Sequence, residues 1–221
     1  MRIVRSWLVA VRATEFLVLF FVLPTVFAVA RHRIPAILGL WALAAYCLFV
    51  LLHDPGFGRE HLWASGTLRQ CAATILLVFA VATVIGTLLV LRFASGLFLS
   101  FPRTNPRLWG LIMLLYPVLS VYPQGIVYRA FVFERYRDLF SPGWPIVLAS
   151  TVAFAYAHIV FRNSLAIGLT FLGGLLFGFR YLETGSLFAS SFEHALYGCA
   201  IFTMGLGRWF SGAMPAGWSS N

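Results

Sequence analysis

The sequence predicts an all-α fold, a polytopic bundle of about seven or eight transmembrane helices. Three observations carry that prediction. Of the 221 residues, 61% are hydrophobic and only 10% are charged, with a mean hydropathy of +0.88, a balance far from that of a soluble domain. The apolar residues gather into runs near the length of about 20 residues that a helix needs to cross hydrocarbon. The connections between runs are short, and the longer ones carry Pro, Gly and Ser as turn formers.

Taken in order, residues 1–11 form a short apolar stretch bounded by Arg2, Arg5 and Arg12. No small-residue cleavage site precedes the next apolar run, so this stretch reads as a retained, amphipathic lead-in at the interface. Apolar runs follow at 14–30, 34–52, 71–93, 108–123, 144–161, 165–182 and 186–210. Between the fourth and fifth lies 124–140, a less apolar helical stretch carrying Arg129, Glu134, Arg135 and Arg137. It either continues the fourth helix or stands as a separate one. In the sixth run Gly168, Gly173, Gly174 and Gly178 recur at roughly one helical turn, a pattern that lets helix backbones approach closely in lipid.

All 16 basic residues are Arg, against seven acids, for a net charge of +9. The arginines are scattered between apolar runs rather than aligned on a stripe, which fits anchoring to lipid headgroups and argues against nucleic acid as a partner. Arg occurs in almost every connection, so the positive-inside bias nearly cancels and leaves orientation open. The Arg-only basic set with abundant Ala, Leu and Gly points to a bacterial inner (plasma) membrane. Cys47, Cys71 and Cys199 have neither metal-site nor disulfide spacing and read as small packing residues. Trp63, Trp109, Trp144 and Trp209 fall near run ends, as an interfacial aromatic belt requires.

Ionisable groups at membrane depth are costly, which makes them the first candidates for chemistry. Three short patterns hold them: Pro123-Gln124-Gly125-Ile126-Val127-Tyr128-Arg129, Phe154-Ala155-Tyr156-Ala157-His158, and His194-Ala195-Leu196-Tyr197-Gly198. Helical spacing puts Gly125 and Arg129 on one face with Gln124 beside them, Phe154 one turn before His158, and Gly198 one turn after His194. Taken singly, each membrane histidine reads equally well as a packing residue bonded to a backbone carbonyl. His32, His53 and His61, in polar connections, are expected to face solvent. No Gly-x-Ser-x-Gly setting occurs, which disfavours a serine peptidase.

These patterns resemble the CAAX protease and bacteriocin-processing family of intramembrane endopeptidases, also called the abortive-infection or prenyl-protease family. That family shows Glu-Glu-x-x-x-Arg, Phe-x-x-x-His and His-x-x-x-Asn/Asp on successive membrane helices. The resemblance covers roughly 108–209 and extends to Tyr128-Arg129-Ala130-Phe131, Gly173-Gly174-Leu175-Leu176-Phe177-Gly178 and Gly185-Ser186-Leu187. It implies a single structural domain in which 1–107 supplies N-terminal membrane helices, 108–210 a catalytic core and 211–221 a tail. It implies that Gln124, Gly125, Arg129, His158 and His194 stand at catalytic positions, with Phe154, Tyr128 and Gly198 toward substrate. It also implies a membrane-anchored or lipidated peptide substrate. The family uses a glutamate to activate water, with histidines to position it or to stabilise the oxyanion. The resemblance leaves open whether a divalent metal such as zinc, held by His158 and His194, takes part.

The match departs at the first motif, where Gln124 and Gly125 occupy the positions of the paired glutamates, and at the third, where Gly198 ends the pattern. Gln is no general base near neutral pH, and Gly supplies no side chain and costs a helix about 1 kcal/mol. Glu193 is the substitute acid nearest in sequence to His194, although adjacency turns it to another helix face. Glu134 is expected to pair with Arg135 or Arg137 at the interface. Two readings follow: an intramembrane endopeptidase of glutamic or metallo type with a degenerate first motif, and a catalytically impaired relative that binds a membrane partner or peptide without cutting it. A transporter or channel has less support, because matching halves with paired broken helices are missing.

Overall fold

The computed structural model describes residues 2–30 and 35–210, with side chains from Trp7 onward. His32 and the expected tail at 211–221 lie outside the described residues. Among the described residues every regular element is helical. Five helices are long and apolar enough to cross a membrane: α1 (Trp7–Ala30, continuing a helix that starts at Arg2), α3 (Gly66–Phe93), α4 (Pro106–Arg135), α5 (Trp144–Phe161) and α6 (Ser164–Thr184). Two helices of 17 residues, α2 (Ala36–Leu52) and α7 (Leu187–Thr203), complete the bundle.

The stretch 124–140 divides at Arg135: its first part continues α4, and the chain then turns. Helix α4 holds the centre, meeting α2 and α5 through its C-terminal half and α7 along its middle. It winds through two π-helical turns, Pro117–Val121 and Ile126–Phe131, on either side of Gln124 and Gly125. Such turns insert extra backbone per turn and change which side chains share a face. Neighbouring side chains accompany the loosened backbone: the indole of Trp41 donates to the carbonyl of Leu119 at 2.9 Å, and the Ser150 hydroxyl donates to that of Tyr128.

Helices α5 and α6 form the closest pairing. A Cβ at Gly174 would sit 3.1 Å from Cα of Thr151, and one at Gly178 3.2 Å from Cγ1 of Val147, so these two glycines allow the approach. Gly168 faces open space, and Gly173 faces Phe177 of its own helix, so only half of the glycine pattern serves helix contact. Asn163 caps α6 by accepting from the amide of Ala166 at 3.0 Å. Gly185, at φ +59, ends α6 in the left-handed conformation that glycine adopts without strain. Ser186 then caps α7 through the Ala189 amide and donates to the carbonyl of Ala64. His61 also bonds this turn, its Nδ1 lying 2.7 Å from the carbonyl oxygen of Gly185. It is therefore half-buried rather than solvent-facing, whereas His53 is exposed.

Across the same turn, Arg180 of α6 donates through Nε to Glu193 of α7 at 2.8 Å and through Nη1 to Glu183 at 3.0 Å. Glu193 is completely buried. At the other face, Arg135 holds Glu15 at 3.0 Å and Arg12 holds Asp138 at 2.6 Å, tying α1 to the end of α4. Glu134 pairs with Arg137 at 2.8 Å. The outer faces of α3 present Leu76, Leu77, Val81, Val84 and Leu88 to the surroundings, as lipid contact requires.

The contrast between two glycines of α6 tests this packing. Gly174→Leu is expected to destabilise the protein by about 1–3 kcal/mol through overpacking against Thr151, whereas Gly168→Leu leaves stability within about 0.5 kcal/mol. Denaturant unfolding of the two variants in mixed micelles checks the difference.

Candidate active site

The helices bring most of the sequence-derived residues to one place. Gln124 of α4, Phe154 and His158 of α5, and His194 and Gly198 of α7 line a cavity of about 620 Å³ between α3, α4, α5, α6 and α7. A second cavity of about 690 Å³ opens on the other side, toward α1 and α2, and takes in Tyr128. The two share Ser120, Gln124, His158, Phe161 and Phe210, so the amide and one imidazole stand in the wall between them.

Each side chain has a local reason for its pose. At the end of α5 the helix tightens into a 3-10 turn, His158–Phe161, which closes with Arg162 in the left-handed conformation. Nδ1 of His158 lies 2.7 Å from the carbonyl oxygen of Phe154. A carbonyl only accepts, so Nδ1 carries the hydrogen, and in the neutral ring Nε2 is left as the acceptor. On α7, His194 is buried and stacks on Phe177 with ring centroids 4.5 Å apart and planes at 17°. Gln124 donates through Nε2 to Ser120 at 2.7 Å, leaving its Oε1 buried without a partner.

Phe154 is the hub of the arrangement. Its ring lies 4.8 Å from His158, 5.5 Å from His194 and 5.3 Å from Tyr128. The guanidinium of Arg129, only 1% exposed, sits over the same ring at 4.3 Å and over Phe177 at 5.5 Å. None of its three nitrogens has a hydrogen-bond partner among the described residues. Its charge therefore rests on two aromatic faces rather than on a carboxylate, a cation–π arrangement that gains from the dry surroundings. Arg129 does not line either cavity; it stands behind Phe154 and Phe177, which do line the first.

Gly125 is turned away from both cavities. A Cβ there would lie 2.8 Å from Cδ1 of Leu187 and 2.8 Å from Oγ of Ser191, so α7 occupies the space that a larger residue would need. Glu193 faces Arg180 and lines neither cavity, and no Asp or Glu among the described residues does. For zinc the donor set falls short: among the described residues two imidazoles line the cavity without a thiolate or carboxylate, where catalytic zinc takes three protein ligands. Among the described residues no three His, Cys, Asp or Glu gather closely enough to hold a metal.

Residues 105–200 match the family described as Rce1-like, type II CAAX prenyl endopeptidase Rce1-like. This segment is similar to that family. The match spans α4, α5, α6 and most of α7, and so contains all three motifs and the hub around Phe154. No curated protein and no solved structure matches the chain. With its five apolar helices, the chain is an integral membrane protein, and residues 105–200 of it are similar to the Rce1-like type II CAAX prenyl endopeptidases.

Tyr116, Ser120 and Phe177 of this site fall outside the three motifs, as does Arg180 behind it. Tyr116, Ser120 and Gln124 follow one another at four-residue spacing along the cavity, a polar face that is readable once Gln124 is singled out. Phe177 sits inside the glycine-rich stretch that reads as packing, and Arg180 reveals its partner only through the turn that folds α6 onto α7.

The crowding at 125 yields a direct expectation. Gly125→Glu lowers stability by about 1–3 kcal/mol because the new side chain meets Leu187 and Ser191, while Gln124→Glu, isosteric on the cavity wall, meets no such overlap and is the more stable of the two variants. Thermal unfolding of both variants in the same detergent checks the ordering.

Proposed function

We propose that the protein is an intramembrane endopeptidase of CAAX type, probing the membrane for a lipidated or otherwise anchored polypeptide and hydrolysing one of its peptide bonds. The observation that carries this reading is the pinned ring of His158. With Nδ1–H committed to the Phe154 carbonyl, Nε2 offers a lone pair on a cavity shared with a second imidazole and an amide.

Peptide hydrolysis needs an acceptor for the proton of water, donors for the oxyanion and a proton for the departing amine. A water bonded to Nε2 of His158 gives up its proton as its oxygen attacks the peptide carbonyl carbon. His194 donates to the oxyanion as it forms, and the charge of Arg129 behind Phe154 favours that negative charge in a medium of low dielectric. The C–N bond then breaks, and the imidazolium of His158 returns its proton to the amine. Gln124 binds the peptide or the water through its otherwise unpartnered Oε1. No step runs through a metal. The apolar walls, including Leu172, Leu176, Ile201 and Phe202, suit a hydrocarbon anchor beside the cleaved bond. The membrane concerned is in this reading a bacterial inner membrane.

A second reading rests on one specific feature: among the described residues no carboxylate lines either cavity. In that case the chain binds a membrane peptide and does not cut it.

Cleavage of a membrane-anchored fluorogenic peptide in proteoliposomes separates the two. The peptidase reading expects wild-type turnover, a loss of about 10²- to 10⁴-fold in kcat/KM for His158→Ala, and a gain for Gln124→Glu, which sets a carboxylate on the cavity. Binding of the peptide by wild type, with turnover only in Gln124→Glu, establishes the non-cutting relative instead.

A further inference from the structure

Gly198 leaves a gap on α7 that another helix fills. A Cβ at 198 would overlap the ring of Tyr116 from α4, with Cζ only 2.6 Å away. One turn further along α7, Phe202 meets the same ring edge-on, with centroids 5.3 Å apart. One turn back is His194, whose Nε2 lies 3.5 Å from the Tyr116 hydroxyl and whose ring stands perpendicular to that of Tyr116 at 87°. His194, Gly198 and Phe202 thus make one face of α7, and Tyr116 lies along it with its hydroxyl pointed at the imidazole. The hydroxyl has no other hydrogen-bond partner among the described residues. Tyr116 is half-buried on the wall of the first cavity, where filling the gap on α7 would need the ring alone and no hydroxyl.

We propose that Tyr116 is the positioning residue for His194: its hydroxyl, admitted by the missing side chain at Gly198, donates to Nε2 and so holds the imidazole in one orientation with the hydrogen on Nδ1. Both rings of the cavity thus meet a hydrogen-bonding group of the chain: the Phe154 carbonyl, which only accepts, at His158, and the Tyr116 hydroxyl, which can donate or accept, at His194. The contact is between Tyr116 and Nε2, which assigns the remaining nitrogen, Nδ1, to whatever enters the site. The part of the test that uses turnover rests on the peptidase reading; the spectroscopic part does not.

Two variants test the inference in the full-length protein in micelles, with histidines labelled with 15N and the His194 signals assigned through His194→Gln. Tyr116→Phe keeps the ring that fills the gap and removes only the hydroxyl. It is expected to change the 15N shifts of His194, moving its tautomer balance, while those of His158 hold, and to lower kcat about tenfold with KM unchanged. Tyr116→Ala combined with Gly198→Asn, which supplies an amide from α7 in place of the hydroxyl, is expected to bring the His194 shifts back toward those of wild type. Unchanged His194 shifts in Tyr116→Phe overturn the proposal, as does an unchanged kcat in a protein that cleaves. Altered shifts in a protein that cleaves nothing uphold the positioning role and count against the peptidase reading alone.

Discussion

A guanidinium enclosed by aromatic rings is the constraint around which this bundle is organised. Arg129 is almost completely buried, has no anionic partner among the described residues, and lies over Phe154 and Phe177 from two different helices. An unpaired charge in such surroundings persists only where the surrounding groups are fixed to receive it. Phe154 is fixed by Tyr128 and by the α5–α6 contact, and Phe177 by the stacked His194 and by Ser190, which donates to its carbonyl at 2.8 Å. Phe154 also touches both imidazoles, and Phe177 stacks on that of His194. Holding the cation and presenting the histidines are therefore one structural task, met by α4, α5, α6 and α7 together.

The ion pair between Arg180 and Glu193 supports that task from the side. It joins α6 to α7 immediately before His194, so the buried carboxylate fixes the rotation of the helix that carries the imidazole. Glu193 serves as a structural anchor in a place where proximity in sequence suggests a reacting acid. Breaking one half of such a pair leaves the other charge stranded, which is why these two residues act as a unit.

Much of the membrane fold was legible in the sequence because hydrocarbon imposes long apolar runs, and the polar residues within them stand out. His158, His194, Gln124 and Phe154 could be singled out in this way, and they meet on one cavity. The phase of α4 was not legible. Regular helical spacing puts Gly125 and Arg129 on a common face, but one π-helical turn precedes Gln124 and a second runs through Arg129, and Gln124 meets the cavity while Gly125 meets α7. Propensity and periodicity do not reveal a π turn, since it depends on tertiary contacts such as that of Trp41 with the Leu119 carbonyl. The Arg180–Glu193 pairing was hidden for a similar reason: thirteen residues separate the partners, and only the reversal at Gly185 makes them neighbours. Likewise, His61 looks like a loop residue until the turn at Gly185 presents a carbonyl to it.

The partition formed by Ser120, Gln124 and His158 belongs to two chambers at once. An approach to the imidazole is thus available from the α1–α2 flank as well as from the α3–α7 flank, and a polypeptide lying across the partition would have room for its two arms on opposite sides without doubling back. Altering the partition perturbs both chambers together. Side chains confined to a single chamber, Leu43 on one flank and Leu176 on the other, are the handles by which the two routes become separable.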